Sequence, residues 1–326
     1  MKITVVGAGA WGTALANVLC QNKNAVTLWG HEREHLLQVE REKCNQLFLP
    51  GINLSPELRF EADLTKAIHE SECAVIAVPS KFFRDVTSKL SQFGGIAVSV
   101  TKGIEYETGF TMSGVLKQTM PKAAGAALSG PTLAMEVARE IPAAIVAAHS
   151  ELQVAKQIQI LFHRPTFRVY TSSDVLGVEL GGALKNVVAI AAGIGDGLGF
   201  GDNAKAALVT RAIVEIRRLG IAGGAHAETF AGLSGLGDLA VTCFSKLSRN
   251  RGFGERVGRG EKVEEILATT ITVAEGYPTA RSAFHLARKL NVETPIIDEV
   301  YAMLYQNKNV RQAVQDLMGR DMKPED

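Results

Sequence analysis

The chain has 326 residues, of which 46% are hydrophobic and 21% are charged, and its formal net charge is +1. This length predicts about two domains, and the composition is that of a globular protein with ample core. The near-neutral charge gives no reason to expect nucleic acid or an acidic membrane as a partner. Four cysteines without C-x-x-C spacing favour small core thiols over a disulfide framework or a metal site.

The first 19 residues carry the pattern of a nucleotide-binding turn. Residues 3–6 are mostly β-branched and predict a buried strand, and residues 13–19 predict a helix. Between them, three glycines stand at the spacing G-x-G-x-x-G, namely Gly7, Gly9 and Gly12. In such a turn the glycines permit a tight bend, close approach of a pyrophosphate and close helix packing, while the helix N-terminus faces the phosphate. The second strand-like run at residues 25–29 favours a dinucleotide site over an ordinary glycine-rich turn.

The end of the second predicted strand bears on the choice of cofactor. Many dinucleotide folds carry an acidic residue there, which binds the ribose 2′-hydroxyl and selects NAD. Here Gly30 and His31 end the strand, followed by Glu32, which suits a ribose diol, and Arg33, which suits a 2′-phosphate. The residues therefore leave NAD and NADP as alternatives, and His31 is either a cofactor contact or an exposed loop residue.

Strands and helices alternate through the rest of the first half. Further strands are predicted at residues 74–78, 96–100, 126–129, 143–148 and 167–170, and helices at residues 63–71, 82–90, 133–139 and 151–162. This alternation predicts an α/β domain, a doubly wound Rossmann sheet, over residues 1–172.

Two of these strands end in residues that could contact a ligand. Ligands bind at the carboxyl ends of parallel strands, so Lys102 is placed to contact an anion or a carbonyl oxygen, with a solvated lysine as the alternative. Thr132, two residues after Gly130, is either the N-cap of the next helix or a donor to a ligand.

From residue 174 onward the sequence predicts only helices. They are expected at residues 174–192, 203–219, 225–233, 261–268, 279–290, 296–305 and 310–318. We therefore expect an all-helical domain over residues 173–326. The run 177–195 is apolar enough to suggest a membrane span, but Glu179, Lys185 and Asn186 interrupt it and favour a buried helix. With no signal-peptide pattern at the first residues, we expect a cytoplasmic protein.

Polar residues in the second half suggest acid–base chemistry and anion binding. A lysine in an apolar helix, such as Lys185, needs a partner or a lowered pKa, and is then a candidate general base rather than a snorkelling side chain. Beside it, Asn186 could orient a hydroxyl or carbonyl group. Asp238 lies in a glycine-rich turn, as a helix cap or a site residue, and Glu275 in a later turn. A cluster able to bind phosphate, or else an exposed basic loop, is formed by Ser248, Arg249, Asn250 and Arg251.

Together these segments resemble bacterial NAD(P)-dependent glycerol-3-phosphate dehydrogenases over nearly the whole chain. The matching segments are GAGAWGTALA, FLPG, VPS, TKGIE, SGPT, FRVY, ELGGALKNVVAIAAGI, GLSGLGDLAVTC, SRNR and EGY. The resemblance implies interconversion of sn-glycerol 3-phosphate and dihydroxyacetone phosphate with NAD or NADP (NADH or NADPH), which supplies glycerol 3-phosphate for phospholipid synthesis. It implies a small-molecule substrate, no metal and, at the level of the family, a homodimer.

The resemblance also implies roles for single residues. Lys185 matches the proton acceptor, and Lys102 matches a residue that contacts both cofactor and substrate. The expected catalytic set consists of these two lysines together with Asn186 and Asp238. Besides the two lysines, substrate-binding positions are matched by Gly130, Thr132, Asp238, Ser248, Arg249 and Asn250. Cofactor-binding residues are expected at Gly7, Gly9, Ala10, Trp11, Gly12, His31, Lys102, Ala134, Arg249, Val273 and Glu275. Ala10 and Leu133 stand where many members have Ser and Phe, and neither touches the expected chemistry.

Two other functions fit part of the pattern. A β-hydroxyacid or sugar-acid dehydrogenase can share a dinucleotide domain, a helical domain and a helical lysine, and an arginine cluster binds carboxylate as well as phosphate. A non-catalytic nicotinamide-sensing protein could keep the glycine turn, but the presence of Lys185, Asn186 and Lys102 argues against it.

Overall fold

The computed structural model describes residues 1–270, 274–322 and 324. Eight strands form one sheet: β1 Lys2–Val6, β2 Ala25–Trp29, β3 Arg59–Glu61, β4 Cys73–Ile76, β5 Ile96–Ser99, β6 Ala124–Ser129, β7 Ala143–Ala148 and β8 Phe167–Ser172. Their spatial order is β3-β2-β1-β4-β5-β6-β7-β8, and neighbours are parallel except for β6 and β7. Because the order reverses on either side of β1, this is a doubly wound sheet, and the predicted fold class is confirmed.

Seven helices of the described residues connect these strands. They are α1 Ala10–Gln21, α2 Arg33–Glu42, α3 Leu64–Ile68, α4 Ser80–Ser88, α5 Met112–Thr119, α6 Ala134–Ala138 and α7 Leu152–Phe162. Helices α2 and α5 and strand β3 were not predicted from the sequence. Only Leu36 and Val39 of α2 are buried, and β3 has three residues with none fully buried, so both give weak apolar patterns.

From Val175 onward the described residues form helices and no strand. The helices are α8 Val175–Gly197, α9 Asp202–Ala222, α10 Asp238–Phe244, α11 Arg249–Gly258, α12 Val263–Thr269, α13 Gly276–Lys289, α14 Pro295–Tyr305 and α15 Val310–Met318. The α-helix predicted at residues 225–233 is wrong: the chain forms a 3₁₀ turn at Ala227–Ala231 and then a π-helical turn at Leu233–Gly237, which leads directly into α10.

The long helix α8 lies at the centre of the second half. It packs against α9, α10, α11, α13 and α14, and it also contacts β6 of the sheet. By length and composition α8 could cross a membrane, but 83% of its most apolar window is buried inside the fold. This burial explains its apolar sequence, since a helix surrounded by other elements is hydrophobic on all sides.

The carboxyl ends of β5 and β6 lie beside α8, at the same edge of the sheet as the glycine turn after β1. Gly7 follows β1 with φ +127°, and a Cβ there would lie 2.7 Å from the Ala77 carbonyl oxygen, so only glycine fits this turn. Lys102 follows β5, and Gly130 follows β6. The edge of the sheet at which doubly wound folds bind ligands therefore meets the central helix of the second half.

Candidate active site between the sheet and the central helix

Two lysines share one buried carboxylate where the sheet meets α8. Lys185 Nζ donates to Asp238 Oδ1 at 2.6 Å, and Lys102 Nζ donates to Asp238 Oδ2 at 2.7 Å. Lys102 Nζ also donates to the Gly130 carbonyl oxygen at 2.9 Å. Asp238 is 1% exposed and Lys185 6% exposed. The fold thus brings together four residues that the sequence analysis had assigned to a site from four separate segments.

The surroundings of Lys185 suit a proton-transfer group. Its amine also donates to Thr242 Oγ1 at 2.6 Å, and the Thr242 hydroxyl in turn donates to the Asp238 carbonyl oxygen. Burial lowers the pKa of Lys185 to about 8, with the Lys102 charge acting in the same direction and Asp238 opposing it. The alternative of a snorkelling lysine is therefore wrong.

Thr242 was not predicted as a site residue, although the sequence holds a signal for it. Asp238 and Thr242 are four residues apart on α10, so they lie on the same face of that helix. A hydroxyl one turn after an active-site carboxylate is placed to contact the same partner, and here that partner is the Lys185 amine.

Asn186 and Asn250 both use their side-chain amides within the protein. Asn186 Nδ2 donates to the Lys102 carbonyl oxygen at 3.2 Å, and Asn250 Nδ2 donates to Asn186 Oδ1 at 2.9 Å. Asn250 Oδ1 accepts from the Gly276 amide at 2.8 Å. The two side chains therefore connect α8 and α11 with the start of α13.

The predicted phosphate-binding cluster forms the first turn of α11. Ser248 is its N-cap and accepts from the Arg251 amide at 3.2 Å, while the Arg251 guanidinium pairs with Asp196 at 2.6 Å. Arg249 is exposed and has no ion pair within residues 1–270 and 274–322. Because Arg251 is paired with Asp196, Arg249 is the arginine of this cluster that is available to a ligand. The N-terminus of α11 beside it also favours an anion.

Glu275 bridges the helical half to the sheet half. Its carboxylate accepts from the Ser80 amide at 3.0 Å and from Ser80 Oγ at 2.5 Å, at the first turn of α4. Burial raises the pKa of Glu275, and the nearby Arg249 charge opposes this rise. Ser80 had no assigned role beyond its place in the VPS segment. The predicted cofactor contact Val273 lies outside the described residues.

The glycine turn fits a dinucleotide. Helix α1 begins after Gly9 with no side-chain cap and no acidic residue in its first turn, so the turn itself supplies no anion to its N-terminus. A Cβ on Gly12 would collide with the Gly7 carbonyl oxygen, whereas a Cβ on Gly9 would have nothing within 4 Å. The turn is thus packed on its inner face and open on its outer face, as the approach of a pyrophosphate requires. The Trp11 indole N–H is buried and has no partner among the described atoms.

Three other predicted residues border this edge of the sheet. His31 is exposed after β2, as are Glu32 and Arg33, and Ala134 is the first residue of α6. Thr132 is not the cap of α6, because Leu133 occupies that position and the Thr132 hydroxyl donates to the Gly130 carbonyl oxygen at 3.0 Å.

The cysteines and acidic residues form no metal centre in the part of the chain that the structure describes. All four cysteines are buried with free thiols, as predicted for small core residues. No group of three or more His, Cys, Asp or Glu side chains that could hold a metal ion occurs in residues 1–270 and 274–322.

Comparisons with known proteins identify the family of the chain. The family model for the NAD-dependent glycerol-3-phosphate dehydrogenase N-terminus matches residues 2–155, and the one for the C-terminus of the same family matches residues 174–315. A glycerol-3-phosphate dehydrogenase [NAD(P)+] of Citrifermentans bemidjiense is 50% identical, and one of Geobacter sulfurreducens 48% identical, each covering 99% of this chain and 98% of the relative. A crystal structure of glycerol-3-phosphate dehydrogenase from Coxiella burnetii has a TM-score of 0.94 at 36% identity, covering 98% of this chain and 99% of that one. The chain belongs to the NAD-dependent glycerol-3-phosphate dehydrogenase family.

Proposed function

We propose that this protein is an oxidoreductase that interconverts sn-glycerol 3-phosphate and dihydroxyacetone phosphate with NAD or NADP, and that it supplies glycerol 3-phosphate for phospholipid synthesis. The observation that carries the proposal is the cluster of Lys185, Asp238 and Lys102 at the carboxyl edge of a doubly wound sheet. Membership of the family supports the substrate, and the uncapped glycine turn supports the cofactor.

A nicotinamide cofactor, when bound, supplies the hydride acceptor or donor. The glycine turn and the N–H groups of α1 would bind its pyrophosphate. The residues we assign to cofactor binding are Gly7, Gly9, Ala10, Trp11, Gly12, His31, Lys102, Ala134, Arg249 and Glu275, with Val273 retained from the family resemblance.

Lys185 transfers the proton in this proposal. In the oxidation direction its neutral amine accepts the proton of the substrate C2 hydroxyl, and in the reduction direction its ammonium donates a proton to the carbonyl oxygen. A pKa of about 8 makes both forms accessible near neutral pH. Asp238 and Thr242 hold the amine in place through hydrogen bonds of 2.6 Å each.

Lys102 stabilises charge on the substrate oxygen. Its ammonium lies at the end of β5 and shares Asp238 with Lys185, so it brings a second positive charge to the reacting carbonyl group. A fixed cation in a buried site stabilises the developing alkoxide more strongly than water does. Asn186, next to Lys185, completes the proposed catalytic set through its contact with the Lys102 backbone.

The start of α11 binds the substrate phosphate. Arg249 provides the charge, Ser248 and the Asn250 Nδ2 hydrogen that is not donated to Asn186 add neutral groups, and Gly130 and Thr132 at the end of β6 complete the proposed substrate site. Binding of this remote phosphate fixes the reacting carbon relative to Lys185, so it contributes to turnover as well as to affinity.

The direct test is the oxidation of NADH and NADPH, followed by absorbance, with dihydroxyacetone phosphate as substrate. We expect rapid oxidation with at least one of them, and the ratio of the two rates gives the cofactor preference. If protein that binds the cofactor oxidises neither, the glycerol-phosphate assignment is wrong. Activity with 3-hydroxy acids or sugar acids would then identify the alternative dehydrogenase, and no activity with any substrate would favour a nicotinamide sensor.

The proposal includes a cytoplasmic location and a homodimer. Burial of α8 inside the fold favours a core helix over a membrane span, which supports the proposed location. The proposed dimer is supported by the general prevalence of two-fold symmetric dimers among oligomeric proteins. Sedimentation equilibrium of the purified protein should give twice the mass of one chain, and a mass of one chain would contradict the dimer.

A further inference from the structure

A directional chain of hydrogen bonds runs from the start of α13 to the backbone of Lys102. The Gly276 amide donates to Asn250 Oδ1 at 2.8 Å, Asn250 Nδ2 donates to Asn186 Oδ1 at 2.9 Å, and Asn186 Nδ2 donates to the Lys102 carbonyl oxygen at 3.2 Å. We call the two side chains, Asn250 and Asn186, the amide relay. It joins three helices to the strand end that carries one of the two proposed active-site lysines.

The two ends of the amide relay fix the orientation of both amides. It begins at a backbone N–H, which only donates, and ends at a backbone carbonyl, which only accepts. If either side-chain amide alone were rotated so that its oxygen and nitrogen exchanged places, two acceptors would face each other, and so would two donors. If both turned over, the same conflict would arise at Gly276 and at Lys102. The chain therefore has one satisfied arrangement.

The amide relay is buried, so an unsatisfied arrangement is costly. Asn250 is 8% exposed and Asn186 is 4% exposed. A buried polar group that lacks its hydrogen-bond partner destabilises the folded protein, because water cannot reach the group to replace that partner. The start of α13 is also close to α8, since a Cβ on Gly276 would lie 2.5 Å from the Asn186 carbonyl oxygen.

We infer that the amide relay positions Lys102 for the reaction, and that Asn250 and Asn186 act through Lys102 as positioning residues. The inference rests on the proposed function. Lys102 is held at its backbone by the amide relay, and at its Nζ by Asp238 and the Gly130 carbonyl oxygen. Both ends of this side chain are therefore fixed, which sets the distance between its ammonium and Lys185.

The side-chain amide of Asn186 is committed to this task. One contact of its Nδ2 is the Lys102 carbonyl oxygen, and a second, at 3.5 Å, is the Gly182 carbonyl oxygen. Because an amide nitrogen has two hydrogens, donation to a substrate would break one of these contacts. The amide relay also begins next to Glu275, which contacts Ser80 on the sheet half.

Alanine variants test whether the two asparagines act as one unit. We expect Asn250→Ala and Asn186→Ala each to lower kcat for dihydroxyacetone phosphate reduction by about 10- to 100-fold, as small displacements in an active site do. The double variant should lose little more than either single variant, because one break already releases Lys102. Losses that multiply in the double variant would overturn the inference. So would an unchanged kcat with only a higher KM, which indicates that the asparagine serves substrate binding alone.

Asn250→Asp tests the direction of the chain without changing the size of the side chain. The carboxylate still accepts from Gly276, but it has no hydrogen for Asn186, so two acceptors meet in either orientation of Asn186. We expect a loss of kcat at least as large as in Asn250→Ala. Asn203→Asp, at an exposed position of α9, adds the same charge outside the amide relay and should keep normal kcat. Normal kcat in folded Asn250→Asp would overturn the inference.

The titration of Lys185 gives a readout that does not depend on turnover. The charged groups that act on it are Asp238 and Lys102, of which only the Lys102 charge lowers its pKa, while burial raises the pKa of the neighbouring Cys243 thiol to about 12 and so keeps this thiol uncharged. If Lys102 moves away in Asn250→Ala, the midpoint for Lys185 should rise, as measured by NMR of lysine labelled with carbon-13 at Cε. An unchanged midpoint in the folded variant would overturn the inference. Turnover by the unmodified protein reports separately on the proposed function.

Discussion

At the scale of single residues, the chemistry depends on the balance of forces on the Lys185 amine. Transfer of a lysine amine from water into the protein interior disfavours its charged form, while a neighbouring carboxylate favours that form. Here burial has the larger effect, the Lys102 charge adds to it, and Asp238 only partly compensates. The result is a lysine that exchanges its proton near neutral pH.

Replacement of the Lys185 amine should remove proton transfer. We expect Lys185→Met to lower kcat by about 10²- to 10⁴-fold, the contribution of a positioned acid–base group, with little change in NADH affinity. Steady-state rates and NADH fluorescence titrations measure the two effects. Lys117→Met, at an exposed position of α5, is the matched control. Near-normal turnover in Lys185→Met would remove this residue from the proposed role.

The pH dependence should have opposite signs in the two directions. Glycerol 3-phosphate oxidation needs the neutral amine, so kcat should rise with pH through a midpoint near the Lys185 pKa of about 8. Dihydroxyacetone phosphate reduction needs the ammonium, so kcat should fall through the same range. Profiles of kcat at saturating substrate, measured from pH 6 to pH 10, test this. Rates that rise with pH in both directions would contradict the assignment.

Loss of the Arg249 guanidinium should weaken the preference for phosphorylated substrates. A hydrogen bond to a charged group contributes about 1.5–3 kcal/mol, so Arg249→Ala should lower kcat/KM for dihydroxyacetone phosphate by about 10- to 100-fold. The comparison is with dihydroxyacetone, which lacks the phosphate. Equal losses for both compounds would show that Arg249 does not bind the phosphate.

At the scale of secondary-structure elements, glycines bring α8 and α11 into close contact. A Cβ on Gly254 would collide with the Ile190 carbonyl oxygen, and one on Gly193 with the Arg251 carbonyl oxygen. Small residues let two helix backbones approach closely, and the start of α11 with Arg249 and Asn250 is thereby held beside the Lys185 segment of α8. The geometry of the candidate site is in this sense a consequence of helix packing.

Two glycines of α11 should respond to alanine in opposite ways. We expect Gly254→Ala to lower the free energy of unfolding by about 1–3 kcal/mol, because the backbone of α8 leaves no space for a methyl group. Gly252→Ala should raise it by about 0.5–1 kcal/mol, since a Cβ there meets nothing within 4 Å and alanine favours the helix. Urea unfolding of both variants measures the difference. Changes of the same sign would contradict the packing argument.

At the scale of the whole molecule, two carboxylates on the helical half, buried Glu179 and half-buried Glu275, bind the N-termini of helices on the sheet half. Glu275 accepts from Ser80 at the start of α4, and Glu179 of α8 accepts from the Ser113 amide at 2.8 Å and from its hydroxyl at 2.5 Å at the start of α5. Each carboxylate is favourably placed at the positive end of a helix, but burial raises the pKa of both. These contacts connect the two halves beside the candidate site.

The raised pKa of Glu179 gives a stability prediction with a definite sign. Because the folded-state pKa lies above the unfolded value, the stabilisation from this group is complete below the unfolded pKa and is lost as pH rises through the folded pKa. In Glu179→Gln the amide can accept from the Ser113 N–H and donate to its hydroxyl. We therefore expect a higher Tm than that of the unmodified protein at pH 8 and a smaller difference at pH 5, by calorimetry.

Glu215→Gln is the contrasting variant. Both oxygens of the Glu215 carboxylate accept from backbone amides, those of Ile296 and Ile297 at the start of α14. An amide has only one accepting oxygen, so its NH₂ group would face an N–H donor, and Tm should fall at pH 8. A lower Tm for Glu179→Gln at pH 8 would contradict this account of the interface.

Local sequence patterns predicted the architecture and several residues of the candidate site. Hydrophobic periodicity is local, so it predicted the doubly wound sheet and the helical second half. The glycine spacing, Lys185 and the cluster around Arg249 are likewise visible within short segments.

Which of these residues contact one another became clear only from the folded chain. Lys102 and Asp238 are 136 positions apart, so no local pattern reveals that they pair. The contacts of Thr242 and Ser80, and the direction of the Asn250 and Asn186 amides, also depend on partners from other elements, because hydrogen bonds are short and directional and form only after packing has fixed both atoms.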